Sequence, residues 1–158
     1  MLSEETKQRA LRILERRDVS RKELITKLTD KGISPEEAAE TADWLEGLGV
    51  IDDVRYAGMV VRHYMAKGYG KARIQSELYR HGLPKELWEE ALAQYQAPEE
   101  TIDRLPRAKL KSDCPDRAEL KKATDALLRR GFSWREMEEA VCVRIGKLSS
   151  TMLIMWMI

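Results

Sequence analysis

RKELITKLTDKGISPEE, residues 21–37, contains the end of one helix and the start of the next. Leu24 and Leu28 stand four apart and so share a helical face. Gly32, after Lys31, suits the left-handed turn that closes a helix. Ser34-Pro35-Glu36-Glu37 then offers a hydroxyl cap, a proline at the first helical position and a glutamate at the third. The span predicts helix, glycine turn, helix.

The same punctuation recurs. His81-Gly82-Leu83 follows Lys31-Gly32-Ile33 at an interval of 50 residues, and Arg130-Gly131-Phe132 follows after a further 49. Four residues before each glycine stands Leu28, Leu78 or Leu127, and eight before it Leu24, Ile74 or Ala123. A fixed interval with a repeated pattern marks a repeat architecture. Pro84 and Ser133-Trp134-Arg135-Glu136 open the later third helices. Those helices carry Ala38, Ala42 and Leu45; Leu87, Ala91 and Tyr95; Met137, Ala140 and Val141 at helical spacing. First helices read from Ala10, Leu11 and Leu14, and from Tyr56, Ala57, Val60, Val61 and Tyr64, with Asp52 as a cap.

The expected fold is therefore all-α: three tandem three-helix, helix-turn-helix-like repeats in an elongated or arc-shaped row. Repeat one spans 1–49, repeat two 50–97, and repeat three 98–148, its first helix broken at Pro106, with an apolar tail at 149–158. Units of ~50 residues rely on their neighbours for stability.

Charged residues make up 35% and aromatics 6%, which fits surface-rich helices rather than an aromatic β-core. Cys114 and Cys142 form no CxxC pair, and MLSEETKQRA is charged where a signal peptide is apolar, so a reducing cytoplasm is expected. Met152–Ile158 is much shorter than the ~20 residues needed to cross a bilayer, so no membrane partner is expected.

Net charge is only +1, but the charges are segregated. Residues 34–53 hold seven acids and no Lys or Arg, whereas 16–31 hold six bases against three acids. Lys31, Arg80 and Arg130 fall where a helix C-terminus favours a cation. Arg21 and Lys22, Lys71 and Arg73, and Lys121 and Lys122 occupy matching places nine to eleven residues before each glycine. In the first two units they stand in the first turn, against the helix dipole, which suggests a negatively charged partner.

No catalytic or metal-binding constellation stands out. His63 and His81 have no Cys, Ser or second His at a useful spacing and read as surface or helix-end residues. Asp52-Asp53 reads as a cap plus a first-turn acid, and Gly68-Tyr69-Gly70-Lys71 lacks the spacing of a phosphate loop. Trp44, Trp88 and Trp134 are expected in packing. The chain is expected to be a non-enzyme with no cofactor and no metal.

Four stretches in order, RDVSRKEL at 17–24, IDDVRYA at 51–57, GKARIQSEL at 70–78 with Gly82, and RRGFS at 129–133, resemble the bacterial regulatory RecX family. The likeness runs from about residue 6 to 147 and is weakest over 96–115, where Pro106 departs from the family's third unit. It implies a monomeric regulator that binds the RecA filament on single-stranded DNA and mainly inhibits its ATPase, strand-exchange and co-protease activities. It implies no catalytic residue. Candidate contacts to RecA or to single- or double-stranded DNA are Arg17, Arg21, Lys22, Lys71, Arg73, Lys121, Lys122 and Arg129. The other readings are an autonomous DNA-binding helical module, which predicts a steep salt dependence, and a scaffold that binds neither.

Overall fold

The computed structural model describes residues 2–102, 104 and 116–145, with the side chains of 141–145 left aside. The Pro106 break, the Cys114 and Cys142 thiols, the Val141 side chain and the apolar tail all lie outside the described residues. Among those described, regular structure is helical throughout. Contacts divide the chain into two compact units, Met1–Val61 with Ser76–Gln94, and Arg62–Gln75 with Tyr95–Ile158.

In the first unit, α1 (Glu4–Arg16), α2 (Arg21–Asp30) and α3 (Pro35–Gly47) each begin at a serine cap, Ser3, Ser20 and Ser34. Ala10, Ile13, Val19, Leu24, Leu28, Ala38, Ala42, Leu45 and Ile51 form the core. Each fully buried leucine among them contributes ~1.5–3 kcal/mol. Leu11 does not join them and is 40% exposed, because the α1 face turns on Ala10, Ile13 and Leu14 instead.

Ser34 accepts the Glu37 N–H as the cap predicts, but the Glu37 carboxylate does not return to Ser34. It accepts from the Ser3 hydroxyl at 2.8 Å, the Thr6 hydroxyl at 2.8 Å and the Ser3 N–H at 3.3 Å, clasping α1 to α3. The Ser3 hydroxyl and then that of Thr6 hold this carboxyl below its ordinary range.

Helix α4 (Asp53–Ala66) and helix α5 (Lys71–Arg80) each run from one unit into the other. Asp52 caps α4, accepting the Arg55 N–H at 3.2 Å. The third helix of the middle repeat is weaker than its counterparts: a 3-10 turn at Lys85–Leu87 precedes a short α6 (Trp88–Leu92). Pro84 stands at the cap position with no side-chain acceptor, so the first turn tightens into i→i+3 bonds.

In the second unit, residues 99–102 are helical, followed by α7 (Arg117–Arg129) and α8 (Trp134–Ile145). Asp116 caps α7, and Ser133 and Glu136 complete the expected capping box at 3.2 and 2.8 Å. Leu127, Phe132 and Met137 form a core with Ile102 and Ala140 against it. Trp134 is 39% exposed at the start of α8, not packed as its residue type suggests.

All three signature glycines adopt the left-handed conformation, with φ of 87°, 72° and 87° at Gly32, Gly82 and Gly131. In each, the glycine N–H reaches the carbonyl three residues back, while the next N–H reaches the leucine carbonyl five back: Leu28, Leu78 or Leu127. This double bond pattern is the Schellman closure, and the leucine it engages is fully buried in every copy.

The environments differ. A Cβ on Gly32 would meet nothing, whereas one on Gly131 would collide with the Arg73 backbone. Gly32→Ala is expected to lose ~1–2 kcal/mol from left-handed strain alone. Gly131→Ala should lose a further ~1–3 kcal/mol through overpacking. Urea unfolding of both variants checks this, and equal losses would contradict the packing described. A second expectation concerns acid. Since the Glu37 carboxyl is lowered in the fold, its contribution is present above its ordinary value near 4.5 and is lost as pH falls through the lowered one. In Glu37→Gln, thermal melts across acidic pH should show a shallower loss.

Candidate partner interface

The N-terminus of α2 is built into a polar junction. Ser20 Oγ accepts the Glu23 N–H at 3.1 Å and donates to the His81 carbonyl at 2.5 Å. The Glu23 carboxylate accepts the Ser20 N–H at 3.0 Å and lies 2.8 Å from His81 Nδ1. A carboxylate only accepts, so this geometry places a proton on Nδ1. The Tyr56 hydroxyl completes the group, 3.5 Å from Glu23 and 3.2 Å from His81 Nδ1, with its ring edge-on to the imidazole at 5.7 Å. Burial, and then the Glu23 charge, push the Tyr56 phenol up to about 12. The Lys22 stem lies over Gly82, where a Cβ would be 2.9 Å away.

The second unit contains an equivalent junction. The Gly70 N–H donates to the Arg130 carbonyl at 2.6 Å, and the Ala72 N–H to the Gly131 carbonyl at 3.1 Å. Ser20 and Gly70 hold the same place in their repeats, as do His81 and Arg130. Thus the start of one repeat's second helix docks on the glycine turn of the next. Around the second junction, Arg73 and Arg130 lie 5.6 and 5.5 Å from the Tyr69 ring, and Arg130 also donates to the Lys67 carbonyl at 3.2 Å. Burial and the nearby Glu136 charge push the Tyr95 phenol up to about 12.

The eight candidate cations now separate. Arg21 is held by its own chain: its guanidinium is 2.6 Å from Asp43 and 2.9 Å from Glu46, and its N–H donates to Asp53 at 2.9 Å. Burial opposes the Arg21 charge, but the hydrogen bond to Asp43 and the charges of Glu46 and Asp43 outweigh it, and its pKa is raised. The negative partner that the first-turn position demands is thus supplied from α3 and α4. Arg17 is exposed, 4.0 Å from Glu23. Arg73 stacks on Tyr69, and Arg129 Nε donates to the Asp125 carbonyl at 3.3 Å. Lys22, Lys71, Lys121 and Lys122 are exposed.

Sequence spacing missed the group around His81, because Glu23 and His81 are 58 positions apart. Ser20 directs its hydroxyl to the His81 backbone and not to the imidazole, so the group has the geometry of a strut rather than of a nucleophile with its base. Among the described residues no group of three His, Cys, Asp or Glu is placed to hold a metal ion, and no helix is long and apolar enough to cross a membrane.

The model of the first three-helix domain of RecX matches residues 7–45, and that of the second three-helix domain matches 52–92. The "Regulatory protein RecX" of Xanthomonas campestris pv. campestris (strain B100) is 44% identical over 128 residues, 79% of this chain and 78% of that protein. The chain belongs to the RecX family. The RecX of Xanthomonas oryzae pv. oryzae (strain MAFF 311018) is 41% identical over 135 residues, 84% of each chain. The crystal structure of RecX from Lactobacillus salivarius superposes with a TM-score of 0.78 at 25% identity, covering 90% of this chain and 95% of that one. The two Xanthomonas relatives are named as regulatory proteins, and the chain shares the fold of the solved RecX structure and the family's tandem three-helix domains.

A double-mutant cycle tests the junction. Glu23→Ala and His81→Ala are each expected to lose ~1–3 kcal/mol of stability. Their sum should exceed the loss in the double variant by at least ~0.5 kcal/mol. Strict additivity in denaturant unfolding would mean that the two side chains do not interact.

Proposed function

We propose that this chain binds the RecA filament on single-stranded DNA and mainly inhibits its ATPase, strand-exchange and co-protease activities, acting as a cytoplasmic monomer built of repeats at 1–49, 50–97 and 98–148. The observation that carries this reading is family membership over most of the length of proteins named as regulators. Two features support it. Repeats that dock a helix start on the next glycine turn suit a binding protein, and Lys22, Lys71, Lys121 and Lys122 offer exposed charge for a negatively charged assembly. Arg17, Arg21, Arg73 and Arg129 would engage a partner only by relinquishing intramolecular contacts, so they rank below the lysines as contacts.

The test is RecA's DNA-dependent ATPase and strand exchange with substoichiometric amounts of this protein. Both are expected to fall, and unchanged rates would exclude the proposal. Lys71→Glu with Lys121→Glu and Lys122→Glu should weaken filament binding roughly tenfold while circular dichroism stays unchanged, on the scale of ~0.2–1 kcal/mol per exposed charge pair. Arg21→Glu should instead lower the melting temperature.

A further inference from the structure

Beside the turn that closes α2 lies a groove of about 610 Å³ between α1 and the C-terminal half of α2. Arg12, Arg16, Arg17, Lys27 and Lys31 line it with a single carboxylate, Asp30, and Ile13 as its floor. Each cation near a helix C-terminus has a local explanation in the helix dipole. Their convergence does not, since five cations around one concavity repel one another and need counter-charge. The chain supplies little of it. Among the described residues, Arg12, Arg16, Lys27 and Lys31 have no ion-pair partner, while Arg9, Arg80 and Arg135 each pair with a glutamate and Arg21 pairs with two carboxylates. Five of the seven acids of 34–53 are engaged elsewhere: Glu37 holds Ser3 and Thr6, Asp43 and Glu46 hold Arg21, Asp53 holds the Arg21 N–H, and Asp52 caps α4.

The repeat pattern gives a second reason. The carbonyl before Gly82 and the carbonyl before Gly131 each receive the preceding repeat's second helix. Among the described residues the equivalent carbonyl of Lys31 receives only the Arg9 side chain, at 3.4 Å, and nothing lies within 4 Å of where a Gly32 Cβ would be. Repeat one therefore keeps uncovered the end that the other two repeats bury.

We infer that this groove on repeat one is a docking site for an acidic peptide segment of a partner protein, one that carries apolar side chains between its carboxylates. The carboxylates meet the four unpaired cations, an apolar side chain meets Ile13, and a peptide N–H meets Asp30. A phosphodiester backbone has no N–H to give to Asp30, whereas a peptide backbone has one at each residue other than proline. The site does not depend on RecA being the partner, and its test leaves RecA out.

The probe is a fluorescein-labelled peptide of glutamate and aspartate pairs separated by leucines, titrated with the full chain and read by fluorescence anisotropy. Saturable binding is expected, weakened by added salt, with no binding of the counterpart in which every acid is replaced by its amide. The combined variant Arg12→Glu, Arg16→Glu, Lys27→Glu and Lys31→Glu should lose affinity roughly tenfold or more. The set changed to Gln should fall between, with helicity retained, and it decides the matter if the Glu set does not fold. Arg135→Gln should bind as the parent does. Equal affinity for the acidic and amide peptides, or undiminished binding by both variant sets, overturns the site. So does a single-stranded oligonucleotide that binds more tightly, displaces the peptide and is lost in the same variants, since the groove would then be a nucleic-acid site.

Discussion

The left-handed turn at the end of each second helix is the constraint on which the rest of the structure depends. Its glycine lets the two N–H groups that follow the helix fold back onto the last orphan carbonyls, which ends the helix and fixes the buried leucine in place. The same turn exposes its own carbonyls outward. In the second and third repeats they face the first turn of the preceding repeat's second helix, whose N–H and hydroxyl donors need partners. One backbone conformation thus closes a helix and joins two repeats. A side chain at Gly82 or Gly131 would disturb both functions, because Lys22 and Arg73 already fill that space.

The two junctions solve one problem with different chemistry. In the first unit the serine hydroxyl reaches the turn carbonyl, and a half-buried Glu23–His81–Tyr56 group surrounds it. In the second, Gly70 brings its backbone N–H directly to the carbonyl, and Tyr69 between two arginines takes the place of the carboxylate network. Glycine is needed at 70 because a Cβ there would meet the Gly131 backbone. The helix start is a buried structural contact in both units, so part of the basic character around it serves the fold. Arg21 illustrates this, since its charge answers Asp43 and Glu46 on α3.

What remains for partners is therefore narrower than the count of Lys and Arg implies. A net charge of +1 over 158 residues conceals an uneven distribution: Glu37, Asp43, Glu46 and Asp53 on α3 and α4 are engaged within the first unit, while Arg12, Arg16, Lys27 and Lys31 line an open groove. Uncompensated charge of this kind is where association gains most, because the counter-charges arrive with the partner.

The sequence by itself determined the helices, their ends and the repeat, because each rests on interactions within a few residues: hydroxyl caps at Ser34 and Ser133, the positive φ of three glycines, and the four-residue spacing of Leu24 and Leu28 or Ile74 and Leu78. It was less informative where a local signal is incomplete, as at Pro84, whose missing cap acceptor reduces a helix to a 3-10 turn and a short α6. The roles of the charges were not legible in it, because they depend on which distant residues meet. Only the tertiary structure brought Glu23 to His81 across 58 positions, gave Arg21 its two carboxylates, and gathered Arg12, Arg16, Lys27 and Lys31, which among the described residues have no ion-pair partner, around one groove. Helix periodicity fixes the direction of a side chain on its own cylinder, whereas its partner is set by how the cylinders pack.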